Sequence, residues 1–227
     1  MCYSYSSSIG AWLFSLVASI FMLANNDIYD VWLPIFILTF TQIQVLEAGI
    51  WTSIPSNISA NSFFTALIPY LLLLQPLVNS GMAFLNTKNS STLLYTIFIF
   101  MIIGYTFLLI ANYYTADNFE FISTVGENGH LVWERIDKET GENNTILGFT
   151  SNYYLNKLIE FAYLIGLFVP ILFMPNKIMA GLTIGVAGWT FLRNYITYGT
   201  DGEFGTMWCY SAVILSVLAL LFNRKID

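Results

Sequence analysis

Four ionisable side chains interrupt the long apolar runs of this sequence: Glu47, Lys157, Glu160 and Arg193. A charge held in hydrocarbon costs about 2.5 kcal/mol or more, so such groups mark pairing or function. Two are acids and two are bases, and Lys157 and Glu160 are i,i+3 neighbours on one helix face. Arg193 can then pair with Glu47 or with Glu160. Gln44, Glu47 and Trp51 share a second face, and Trp189 and Arg193 a third. Together these residues predict a polar pocket able to bind a small solute. The plainer alternative is a set of ion pairs that clip helices together or snorkel to the interface.

The sulfur chemistry is sparse. Cys2 and Cys209 are the two cysteines and His130 is the one histidine. If both cysteines reach an oxidising compartment, a disulfide is the default. With Glu47 they could also hold a transition metal through thiolate and carboxylate ligands. HExxH, CxxC and paired-histidine spacings are absent from the sequence.

These residues must be positioned by membrane-spanning elements. Of 227 residues, 56% are hydrophobic and 10% charged, against about 25% charged in soluble domains. A net charge of −6 argues against a nucleic-acid partner. A bilayer core needs about 20 apolar residues per helix, and seven segments qualify: 8–25, 31–52, 62–86, 92–112, 153–174, 177–198 and 204–223. The first lacks the positive flank of a signal peptide and is expected to remain as a helix. The expected fold is therefore an all-α transmembrane bundle of seven helices, a single domain over 1–227, in a cellular or viral membrane. Gly181, Gly185 and Gly188 predict close helix packing. Pro170 predicts a kink in the fifth span, and Gln75 and Asn79 in the third thinly mark a polar path across the bundle.

Positive charge sets the expected orientation. Lys88, Lys177, Arg224 and Lys225 follow the third, fifth and seventh spans, all on one side. That places the N-terminus outside, the C-terminus in the cytoplasm and the loop 113–152 outside. Two stretches of this loop, Gly129–Asp137 and Thr145–Phe149, read as a β-hairpin around a glycine-containing turn. The same loop is the expected contact surface for a protein partner. Two glycosylation sequons, at Asn57 and Asn143, fall on the outer side. Depth counting brings Glu47, Lys157, Glu160, Arg193, Cys209 and Cys2 to one outer layer.

The opening Met1-Cys2-Tyr3-Ser4, the second-span face Gln44, Glu47 and Trp51 after Trp32-Leu33-Pro34, and Trp208-Cys209 in the last span carry a resemblance. The chain resembles an uncharacterised family of polytopic membrane proteins of bacteria and large DNA viruses that typically open Met-Cys-Phe-Ser-Ala. The family has no established activity. The resemblance implies candidate positions at Cys2, Ser4, Gln44, Glu47, Trp51, Trp208 and Cys209. Tyr3 and Tyr5 depart from the family pattern.

Retinal is not expected, because the last span lacks a Schiff-base lysine before Lys225. One histidine also excludes histidine-rich zinc hydrolases. Three functions are left: a binding or transport protein with an outward polar pocket, a membrane enzyme or metalloprotein using Cys2, Glu47 and Cys209, and a structural or assembly protein. The first is preferred.

Overall fold

A computed structural model describes residues 4–25, 29–87, 91–126, 129–144, 146–150, 152–198 and 204–224, with the backbone alone at 191, 193–195, 197–198 and 204–210. The described chain is mostly helical. Its helices are α1 (Tyr5–Ala24), α2 (Trp32–Ser53), α3 (Ile58–Thr87), α4 (Thr92–Thr115), α5 (Tyr153–Phe168), α6 (Lys177–Tyr198) and α7 (Phe204–Phe222). Among the described residues, five stretches are long and apolar enough to cross a membrane: Tyr5–Ala24, Trp32–Ser53, Ile58–Thr87, Thr92–Asn118 and Tyr153–Phe173. Pro170 ends α5, and the chain continues as a 3₁₀ turn over Pro170–Phe173, where the missing N–H of proline costs least.

Short polar side chains set the helix starts by accepting from backbone N–H groups that have no partner within the helix. Ser4 and Ser7 form a reciprocal capping box on α1. Asn57 accepts from Ala60 N, Ser91 from Leu94 N, Asn152 from Leu155 N and Asn176 from Met179 N.

Of these five stretches α2 is the most enclosed, and it packs against α1, α3 and α7. One end of the bundle is tied by side-chain amides. The Trp32 indole N–H donates to Asn79 Oδ1 at 2.7 Å, and Asn79 Nδ2 donates to the Leu167 carbonyl at 2.7 Å. Asn223 donates to the Asp30 carbonyl and Asn176 to the Phe222 carbonyl, each at 2.8 Å. Higher in the bundle, Tyr163 donates to Gln75 Oε1 at 2.8 Å. Gln75 and Asn79, expected from the sequence to mark a polar path, serve as ties between helices.

The opposite end carries a three-stranded antiparallel sheet in the order β1 (Phe119–Val125), β2 (Leu131–Asp137), β3 (Asn143–Asn144). Phe119 pairs with Asp137 and Val125 with Leu131. The expected hairpin is present but its main partner strand differs. β2 pairs chiefly with β1, which precedes it, while the return strand is the two residues Asn143 and Asn144, just before the expected 145–149, of which 146–149 form a turn and coil. The turn between β2 and β3 needs Gly141, whose φ of 71° lies in the left-handed region. β1 docks on α3 through Asn61, which donates to the Ser123 carbonyl (2.7 Å) and accepts from Ser123 N (2.8 Å). That amide satisfies an edge-strand residue as a further strand would. Thr65 and Ser123 share a hydroxyl bond of 2.7 Å.

Close helix approach occurs away from the glycines that predicted it. A Cβ on Gly181, Gly185 or Gly188 would meet nothing within 4 Å, so that stripe faces outward. Instead Gly49 abuts the Phe64 ring, 2.7 Å from where a Cβ would stand, and Gly166 abuts the Tyr105 side chain.

Candidate functional site

The polar residues inside the bundle gather along the seam of α1, α2 and α7. On α1 the buried side chains are Ser8, Ser15, Ala18, Ser19 and Met22. This near-heptad pattern turns a serine face toward the two neighbours α1 packs on. α2 contributes Thr41, Gln44 and Glu47, all buried, with Gln44 1% and Glu47 0% exposed. α7 contributes Ser211 and Ser216. Heights follow from the amide-tied end at about 1.5 Å per residue. Ser19 and Ser216 lie about 8–10 Å up, and Ser15, Thr41 and Ser211 about 14–18 Å. Trp12 and Gln44 lie about 18–21 Å up, and Ser8 and Glu47 about 24–26 Å. The seam is thus a ladder of polar groups running from mid-bundle to the sheet end. Gly49 against Phe64, next to Thr65, fixes its top level with the sheet contact at Ser123.

Three donors on the α1 side of this ladder, Trp12 Nε1, Ser15 Oγ and Ser19 Oγ, have no hydrogen-bond partner. Buried polar atoms are nearly always bonded, so these are atoms that an additional acceptor would satisfy. Ser211 is bonded, to Thr190 of α6 at 2.7 Å, and Ser216 and Thr41 bond to backbone carbonyls of their own helices. Among the described residues, no side-chain hydrogen bond joins α1 to another helix. By contrast, α2, α3 and α5 are tied through Asn79, and α6 and α7 through Thr190.

The structure divides the residues expected at the site. Gln44 and Glu47 are interior, and Trp51 is half-buried and packed against the core. Lys157 and Glu160 form the expected ion pair at 2.9 Å, but with side chains 46% and 32% exposed. Trp189 is 66% exposed. These three reach a height near that of the seam but face away from it, so they do not line it. α5 turns Asn156, Ile159 and Tyr163 inward and leaves Lys157 and Glu160 outside. The side chains of Arg193, Trp208 and Cys209, and all of Cys2, lie outside the described residues. Among the described residues, no group of three or more His, Cys, Asp or Glu could hold a metal ion.

Sequence reasoning missed the serine face of α1, the Asn61–Ser123 contact and the burial of Arg135. The spacing of Ser8, Ser15 and Ser19 was the available signal for the first. The alternation of Phe119, Phe121 and Ser123 was available for the second. Arg135 sits on β2, 0% exposed, with its guanidinium 3.9 Å from the Phe119 ring centroid and 5.1 Å from that of Phe121. Burial lowers its pKa to about 10. Burial also lowers that of His130, at the start of β2.

Comparison with known proteins finds no matching family model, no matching curated protein and no matching solved structure.

Proposed function

We propose that the chain is a multi-pass membrane protein that binds a small polar solute in the α1–α2–α7 seam and moves it across the membrane. The seven helices are the spans. The sheet end faces the exoplasmic side, in keeping with Lys177 and Arg224 at the amide-tied end and the positive-inside rule. The solute enters from the sheet end when α1 moves off its neighbours.

One observation carries this reading: a fully buried acid, Glu47, stands above Gln44 in a seam whose α1 side holds three unbonded donors. Serines alone would serve close helix packing, but a bundle selected for stability alone would not bury an acid such as Glu47 beside them, since a charge in hydrocarbon costs about 2.5 kcal/mol or more. The tethering is also uneven. Ties through Asn79 and Asn176 hold the far end shut, whereas α1 rests on small side chains. The resemblance to the Met-Cys-Phe-Ser-Ala family points to the same Gln44, Glu47 and Trp51 positions.

The test is cysteine accessibility in sealed vesicles. Cys2→Ser and Cys209→Ser remove the native thiols, and single cysteines are then placed by Ser15→Cys, Leu13→Cys and Thr124→Cys. A charged, membrane-impermeant methanethiosulfonate should modify Ser15→Cys from the same side as the exposed sheet position Thr124→Cys. It should leave Leu13→Cys, on the outward face of α1, untouched. Solutes that slow modification of Ser15→Cys are then ligands. If Ser15→Cys stays unmodified from both sides, the seam is packing and the proposal fails.

A further inference from the structure

The junction between the sheet and the ends of α3 and α4 holds a second group of unsatisfied donors, separate from the seam. Arg135 Nη1 donates to Asn112 Oδ1 at 2.6 Å, which fixes the orientation of both side chains. The remaining guanidinium donors, Arg135 Nε and Arg135 Nη2, are buried and have no partner, while the Asn112 amide is turned to the Tyr70 hydroxyl. Nε and Nη2 form one edge of the guanidinium fork, the edge that takes a carboxylate or phosphate through two parallel bonds. Both residues are 0% exposed. Among the described residues, no carboxylate pairs with Arg135; the one ion pair is Lys157–Glu160. The acids nearest in sequence are engaged elsewhere: Glu134 bonds Asn143 and Thr124, and Asp137 caps the turn that follows β2. Tyr70 of α3 stands within electrostatic reach of Arg135 and beside Asn112, adding a hydroxyl. A buried cation without a counter-charge is costly, and an anion bound at its unpartnered edge would offset that cost.

We propose that Arg135, Asn112 and Tyr70 form a binding site for a phosphate group, supplied by a lipid headgroup or by a free phosphate. The surroundings fit either source. Asn112 lies in the last turn of α4, followed by the exposed rings of Tyr113 and Tyr114, and the exposed Tyr153 and Tyr154 open α5. Such aromatic belts sit at headgroup level. Phe119 and Phe121 lie against the guanidinium, with ring centroids 3.9 and 5.1 Å from its carbon, and an in-plane edge is where an anion would bind.

The full chain, purified in neutral detergent, is heated with inorganic phosphate or with chloride at matched ionic strength. It is also heated with phosphatidic acid or with diacylglycerol of the same acyl chains. A hundredfold excess over Kd should raise Tm by about 5 °C or more, with no rise in chloride or diacylglycerol. A response to phosphatidic acid alone assigns the site to a lipid headgroup. A response to inorganic phosphate assigns it to a free anion. Arg135→Gln should abolish the shift. Asn112→Ala, which leaves the guanidinium in place, should weaken binding about tenfold and serves if Arg135→Gln does not fold. No shift with either phosphate source overturns the proposal, as does an undiminished shift in both variants.

Discussion

The amide tie at Asn79 makes a quantitative claim about how the closed end of the bundle is held. Its Oδ1 accepts from Trp32 and its Nδ2 donates to Leu167, both at 2.7 Å and both buried, so one side chain joins α2, α3 and α5. Hydrogen bonds between membrane helices average about 0.6 kcal/mol, with a maximum near 1.7 kcal/mol. Two good bonds should therefore make Asn79→Leu cost roughly 1–3 kcal/mol. Trp32→Phe breaks one of them and leaves Asn79 Oδ1 without its donor. The two substitutions share that bond, so the double variant should be less destabilised than the sum of the singles. The coupling expected is about 0.6–1.7 kcal/mol. Equilibrium unfolding of the full chain in mixed detergent and denaturing micelles measures all four corners of the cycle. Additivity to within about 0.3 kcal/mol would show that the Trp32–Asn79 bond carries no energy, and the tie would have to be assigned to packing alone.

Other outcomes follow from particular contacts. Gly166→Ala should destabilise by about 1–3 kcal/mol, because its Cβ would overlap the Tyr105 ring. Gly185→Ala, with open space around it, should stay within about 0.5 kcal/mol of the parent; thermal unfolding compares the two. Asn61→Ala should release the edge of β1, seen as faster amide hydrogen exchange at Ser123 while the exchange of α2 is unchanged. His130 has its pKa held below 6.5 by burial, so the folded chain binds fewer protons than the unfolded one just below that value. Its contribution is present above pH 6.5 and lost as pH falls through the window between 6.5 and the lower folded-state pKa. Thermal stability should therefore drop on acidification below about pH 6.5, and His130→Asn should flatten that slope.

The helices were legible in the sequence because hydropathy is local. An apolar run of about 20 residues has one low-energy form in lipid, and the polar breaks around Asn25, Ser53 and Asn176 stop it. The turn at Gly141 was legible for a similar reason, since few residues other than glycine adopt a positive φ without strain. The facing of each helix was not legible. A helix that is apolar all round has little directional signal to separate its lipid side from its protein side. Lys157, Glu160, Trp189 and the glycine stripe of α6 could therefore be placed in height but not in azimuth, and tertiary packing turned all of them outward. The partner of β2 was also a tertiary decision. The sequence pointed only to the stretch after it, whereas in the structure Asn61, 62 residues before Ser123, seals the edge of β1 and β2 pairs with that preceding strand. The same docking of sheet on helices buried Arg135 against Asn112, a contact across 23 residues that no local pattern encodes.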